Sequence, residues 1–201
     1  MTEKIVSSNT HDSISAQAYF DLTQSFAAEG KTSGEQQTDA LIHYSKLNAR
    51  RSKRISKTVT LDEETIKSIA NISTPQRWII ITETWCGDAA NSIPVFHKMA
   101  ALNDAIEIKI LFRDENIAMM DRFLTNGGRS IPKVIAIDSN DEVIATWGPR
   151  PAAAQEIYTG WKNAENPGPY EAVHVTLQKW YNEDKGTSTQ QEWIKLLQGQ
   201  R

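Results

Sequence analysis

Cysteine is nearly absent: Cys86 is the only one in 201 residues, so no disulfide can form within the chain. The fold must rest on a packed core, and a reducing compartment, the cytoplasm, is the expected setting. Long apolar runs are missing too, since none nears the roughly 18–20 residues that span a bilayer. The opening stretch Met1-Thr2-Glu3-Lys4-Ile5-Val6-Ser7-Ser8 lacks the apolar segment of a secretory signal. Charge of one sign is scarce; a net charge of -3 gives no reason to expect nucleic acid or a membrane surface as partner. No glycine-rich phosphate loop occurs, because Gly127-Gly128 follows a helical stretch and precedes a strand-like one. His11, His43, His97 and His174 are scattered without partners at metal-ligand spacing, so neither a metal nor a cofactor is expected.

What remains is an ordinary globular composition, 39% hydrophobic and 23% charged, in a chain long enough for one full core. The first ten or so residues are polar and read as disordered. Ala18, Tyr19, Leu22 and Phe26 mark a helix over 15–29 that stops at Gly30. A second helix is expected over 35–57, with Leu41, Tyr44 and Leu47 on its buried face. Its end carries Lys46, Arg50, Arg51, Lys53, Arg54 and Lys57, which read as a solvated face helped by the helix C-terminus. A short helix over 61–70 follows. The period then changes: Arg77-Trp78-Ile79-Ile80-Ile81-Thr82 is a strand buried on both faces.

Cys86 lies just past that strand, and a helix over 88–103 with Pro94 inside it comes next. Residues 106–112 alternate as a strand, and Asp114 is placed to cap a helix holding Ile117, Met120 and Leu124. A hairpin over 134–146 turns at Asp138-Ser139-Asn140-Asp141. Gly148-Pro149-Arg150-Pro151 breaks the chain before a helix with Ile157, Tyr158 and Trp161. After Asn166-Pro167-Gly168-Pro169 comes another with Val173, Leu177, Trp180 and Tyr181. The last helix is expected to start at Thr189, with Glu192 completing a capping box. The six tryptophans and Met119-Met120 read as core; Trp147 could rim a groove.

The segment Trp85-Cys86-Gly87-Asp88-Ala89 resembles the thioredoxin active site Trp-Cys-Gly-x-Cys, with alanine where the second cysteine belongs. Pro94 and Arg129-Ser130-Ile131-Pro132 fall where thioredoxins carry the active-site helix proline and the cis-proline loop. More widely, the chain is similar to a bacterial thioredoxin-like family with an N-terminal helical extension. That resemblance implies an α/β thioredoxin fold, a mixed sheet of about four to five strands flanked by helices, with added N- and C-terminal helices. The expected organisation is a disordered N-terminus over 1–14 and a helical extension over 15–72. The thioredoxin-like domain then covers 73–165, and a helical addition 166–201.

The departures from thioredoxin are coherent. Ala89 removes the resolving cysteine, and Ile80 stands where the buried aspartate that serves it would lie. The resemblance therefore implies Cys86 as a single attacking thiol that forms mixed disulfides and depends on an outside thiol to release them. Trp85, Gly87, Asp88, Ala89, Glu83, Ile131 and Pro132 would support the site, with Arg129 and Trp147 as possible substrate contacts. Arg129 would neutralise an acidic partner or pair with Asp88 or Glu83. A helix N-terminus lowers a thiol's pKa while Asp88 opposes it, so a moderately lowered value is expected. Partners would be a protein or low-molecular-weight thiol or disulfide. The competing reading is a non-catalytic binding module in which Cys86 is a relic.

Overall fold

The computed structural model describes residues 12–199. The core of the molecule is a four-stranded sheet in the order β2-β1-β3-β4. Its strands are β1 (Gln76–Thr82), β2 (Ile106–Phe112), β3 (Lys133–Ile137) and β4 (Val143–Trp147). β1 runs parallel to β2 and antiparallel to β3, which forms a hairpin with β4. This is a thioredoxin fold with helices added at both ends. Ile79, Ile80 and Ile81 are fully buried because β1 is central and both faces are covered. Ile80 pairs with Ile110 on one side and Val134 on the other and is fully buried in the sheet.

Before the sheet come α1 (Ala16–Glu29), α2 (Asp39–Thr58) and α3 (Glu63–Ala70). Ser15 caps α1 by accepting from the Ala18 N–H, and Gly30 ends it in the left-handed conformation. Ile14 bridges to Ile110 at the β2 edge, while the polar start of the chain read as disordered lies largely outside the described residues. α4 (Gly87–Ala100) follows β1, and the short α5 (Ile117–Met120) follows β2. Then come α6 (Ala152–Lys162), α7 (Tyr170–Asp184) and α8 (Thr187–Gly199).

Three local expectations are corrected. α2 starts at Asp39, capped by Thr38, and its buried positions are Ser45, Asn48, Ala49 and Ser52. Leu41, Tyr44 and Leu47 are only half-buried; the helix turns its small polar side towards the segment that carries Cys86. α5 spans four residues, and Asp114 does not cap it; its N–H is taken by Glu83, and Leu124 lies exposed beyond the helix. Thr189 is buried inside α8, and Glu192 instead accepts from the Ala152 N–H and the Trp147 indole N–H at 2.7 and 2.8 Å. That carboxylate starts α6 and ties it to β4.

Among the described residues the buried apolar side chains form two separate clusters. The larger holds the sheet, α4 and Trp193, Ile194 and Leu197 of α8. Trp78, Phe96 and Trp193 meet edge to face there, with ring centroids 5.2–6.3 Å apart. The smaller cluster is Ala154, Val173, Leu177 and Tyr181, shared between α6 and α7 alone.

Candidate functional site

β1 delivers the chain to Glu83-Thr84-Trp85, and Cys86 caps the N-terminus of α4. Its Sγ accepts from the Ala89 N–H at 3.5 Å and donates to the Ile131 carbonyl at 3.3 Å. The loop before β3 lies against the sulfur through that carbonyl, and the Ile131–Pro132 peptide is cis. Cys86 is only 6% exposed. The expectation of a lowered pKa fails here: burial pushes the thiol up to about 12, and Asp88 adds to the rise. The Ala89 N–H and Arg150 offset only part of this. One long hydrogen bond at a helix start is weaker than the cost of placing an anion in a dry site. Donation to the Ile131 carbonyl is the contact a protonated thiol makes.

Glu83 and Asp88 flank Cys86 in sequence and diverge in space. Glu83 is fully buried, its carboxylate bonded by the Ser33 hydroxyl and, at 2.9 Å, by the Asp114 N–H. Burial raises its pKa against those two hydrogen bonds. It ties the α1–α2 loop to the end of β2. Asp88 faces the other way. It pairs with Arg150 at 2.7 Å and accepts from the Tyr181 hydroxyl at 2.9 Å. Burial raises Asp88, opposed by Arg150 and Tyr181. For Arg150, burial opposes the charge, and Asp88 together with Tyr181 and Cys86 more than restores it.

Two helical layers close over this segment. From α2, Asn48 donates to the Thr84 carbonyl at 3.0 Å and Ser52 to the Ala90 carbonyl at 3.3 Å. Ser45, Thr32 and Thr84 share a hydroxyl cluster at 2.6–3.2 Å. From α7, His174 and Tyr181 approach Gly87 and Asp88; a Cβ on Gly87 would meet Arg51 at 3.6 Å and His174 at 3.9 Å. Sequence reading missed Arg150, Tyr181, Ser33 and Asn48. Only Arg150 carried a signal, as the one charge within Gly148-Pro149-Arg150-Pro151, a segment read simply as a break.

The thioredoxin family model matches residues 34–164. The chain belongs to the thioredoxin family. Among solved structures it is similar to a protein of unknown function from Pseudomonas aeruginosa (14% identity, TM-score 0.60, 96% of each chain covered). It is also similar to an HIV epitope scaffold (15% identity, TM-score 0.57, covering 92% of this chain and 99% of the other). At such identities the likeness speaks for the fold alone. Comparison with curated proteins found no match.

Within the thioredoxin framework the remaining expected site residues fall as follows. Ala89, where the second cysteine of the family would stand, is fully buried beneath the sulfur. Trp85 is half-buried, with the Arg113 guanidinium 5.0 Å from its ring. Arg129 pairs with Asp121 at 2.6 Å on the surface, not with Asp88 or Glu83. Trp147 is 4% exposed and packs on Phe96, so it belongs to the core and rims no groove. Tyr44, Leu47, His174 and Val175 instead line a groove of about 780 Å³ between α2 and α7. Among the described residues no cluster of three His, Cys, Asp or Glu is placed to hold a metal, and no helix is long and apolar enough to cross a membrane.

Proposed function

We propose that the protein carries out single-thiol exchange through Cys86, starting from a guarded, protonated resting state. The observation that supports this best is the meeting of Cys86, at the start of α4, with Ile131 and cis-Pro132, while Ala89 fills the resolving position. Once deprotonated and uncovered, the Cys86 thiolate attacks one sulfur of a substrate disulfide. A Cys86–substrate disulfide forms, and the other sulfur leaves as a thiolate. A low-molecular-weight thiolate then attacks the substrate sulfur of that bond, and Cys86 departs. Trp85, Gly87 and Asp88 support the site; the Ile131 backbone offers strand-like pairing to a substrate segment. The cytoplasm, with its thiol pool, is the compartment that suits this chemistry.

The burial of Cys86 and its thiol pKa near 12 favour a second reading, a thioredoxin-fold binding module whose sulfur does no chemistry. Incubation with oxidised glutathione, followed by intact-mass analysis, separates the two. Exchange predicts one glutathione adduct, absent in Cys86→Ser and removed by added reduced glutathione. No adduct after prolonged incubation at pH 9 leaves the binding module.

A further inference from the structure

We propose that the α6–α7 hairpin is a hinged cover, latched over the Cys86 segment through Asp88, which must lift before the sulfur can react. The inference rests on the exchange reading for its purpose and on the packing for its mechanics. The hairpin has a small core of its own, Ala154, Val173, Leu177 and Tyr181, flanked by Ile157, Tyr158, Trp161 and Trp180. Among the described residues, the main cluster contains no side chain between Trp147 and Trp193. The hairpin therefore keeps its apolar packing when it moves, and lifting it does not open the main core.

What holds it down is mostly polar, beside one ring contact at 5.1 Å between Tyr44 of α2 and His174 of α7. The Glu192 carboxylate also holds the Ala152 N–H at the start of α6. Tyr181 donates to Asp88, Arg150 pairs with the same carboxylate, Asn91 and Gln178 exchange hydrogen bonds at 3.3 Å, and Arg54 donates to Asn182 at 2.7 Å. Water can replace each of these at small net cost, unlike buried apolar area. Arg150 travels with the hairpin, since it also lies 4.2 Å from the Tyr158 ring and reaches Gln155 of α6. Both ends of the hairpin leave the core at non-helical joints. One is Gly148-Pro149-Arg150-Pro151, and the other is Lys185-Gly186, with φ of 56° and 85°. Both joints pack closely: a Cβ on Gly148 would run into the Pro132 carbonyl oxygen, and one on Gly186 would meet Val95 at 2.8 Å. The cover lies against the residues that follow the sulfur: Tyr181 bonds Asp88, and a Cβ on Gly87 would meet His174 at 3.9 Å.

Native-state labelling of Cys86 with iodoacetamide, across urea concentrations below the unfolding transition, tests the cover. Wild type should label through an opening with shallow urea dependence, and Tyr181→Phe, which keeps the ring packing, should label about tenfold faster with little change in unfolding midpoint. Amide exchange on wild type should show α6 and α7 opening together while β1 stays protected. Labelling that follows global unfolding, with α7 as protected as β1, would overturn the cover. A Tyr181→Phe variant that labels fast yet forms no glutathione adduct leaves the cover standing and removes the exchange reading. Equal adduct rates in wild type and Tyr181→Phe do the reverse.

Discussion

The two helical additions cover the same turn of chain by opposite means. The N-terminal one is joined to it through a dry seam. Thr32, Ser33, Ser45, Asn48 and Ser52 are all nearly inaccessible and bond to one another or to residues 83–90. On the C-terminal side the α6–α7 hairpin has its own apolar cluster and rests on a polar, part-buried seam around Asp88. A network broken while still buried incurs its full desolvation penalty, whereas a seam that parts is rehydrated by solvent on both sides. Glu83 belongs to the first seam and Asp88 to the second. Adjacency in sequence made them a pair of site carboxylates; the structure makes one a staple and the other a latch.

The sharpest contrast should come from Ser33→Ala. It leaves the Glu83 carboxylate short of its hydroxyl and the Thr84 N–H without its 2.8 Å partner. Urea denaturation should show a loss of about 3 kcal/mol, felt by the whole molecule; a loss below about 1 kcal/mol would put the two seams on a par. Arg150→Met should be next, at about 2 kcal/mol, because Asp88 keeps only Tyr181 as partner. Its loss should appear as faster amide exchange confined to α6 and α7, and spread into β1 would show that the hairpin is part of the main core. The smallest effect belongs to Asn182→Ala, which removes two exposed contacts, one with Arg54 and one with Gln178. About 0.5 kcal/mol, again local to α7, is the expected change in exchange protection.

Much of the fold was legible because its signals are local. The apolar run 77–82, the alternation of 106–112 and the caps at Ser15 and Gly30 each report a backbone state directly. α2 misled for a physical reason. Its apolar stripe at Leu41, Tyr44 and Leu47 looks like a core face, but the partner surface is the polar backbone of residues 84–90, which selects Ser45, Asn48 and Ser52 instead. Cys86, Ala89, Ile131 and Pro132 were legible from spacing in a known motif. Arg150 and Tyr181 were not, since they reach Asp88 from far along the chain through tertiary packing. The thiol's pKa was misjudged for the same cause: the helix start is visible in sequence, and the cover that dries it is not.

The most direct measurement is the pH dependence of Cys86 alkylation in native protein, at reagent concentrations where the rate stays first order in reagent. With the folded thiol near 12, proton loss opposes burial, so the rate should rise about tenfold per pH unit from 7 to 10 without levelling. Opening does not restore an ordinary titration, because the closed state holds the proton and keeps the reactive population low at every pH in that range. A rate that levels off between about 7 and 8.5, as for an exposed or activated thiol, would contradict the guarded resting state.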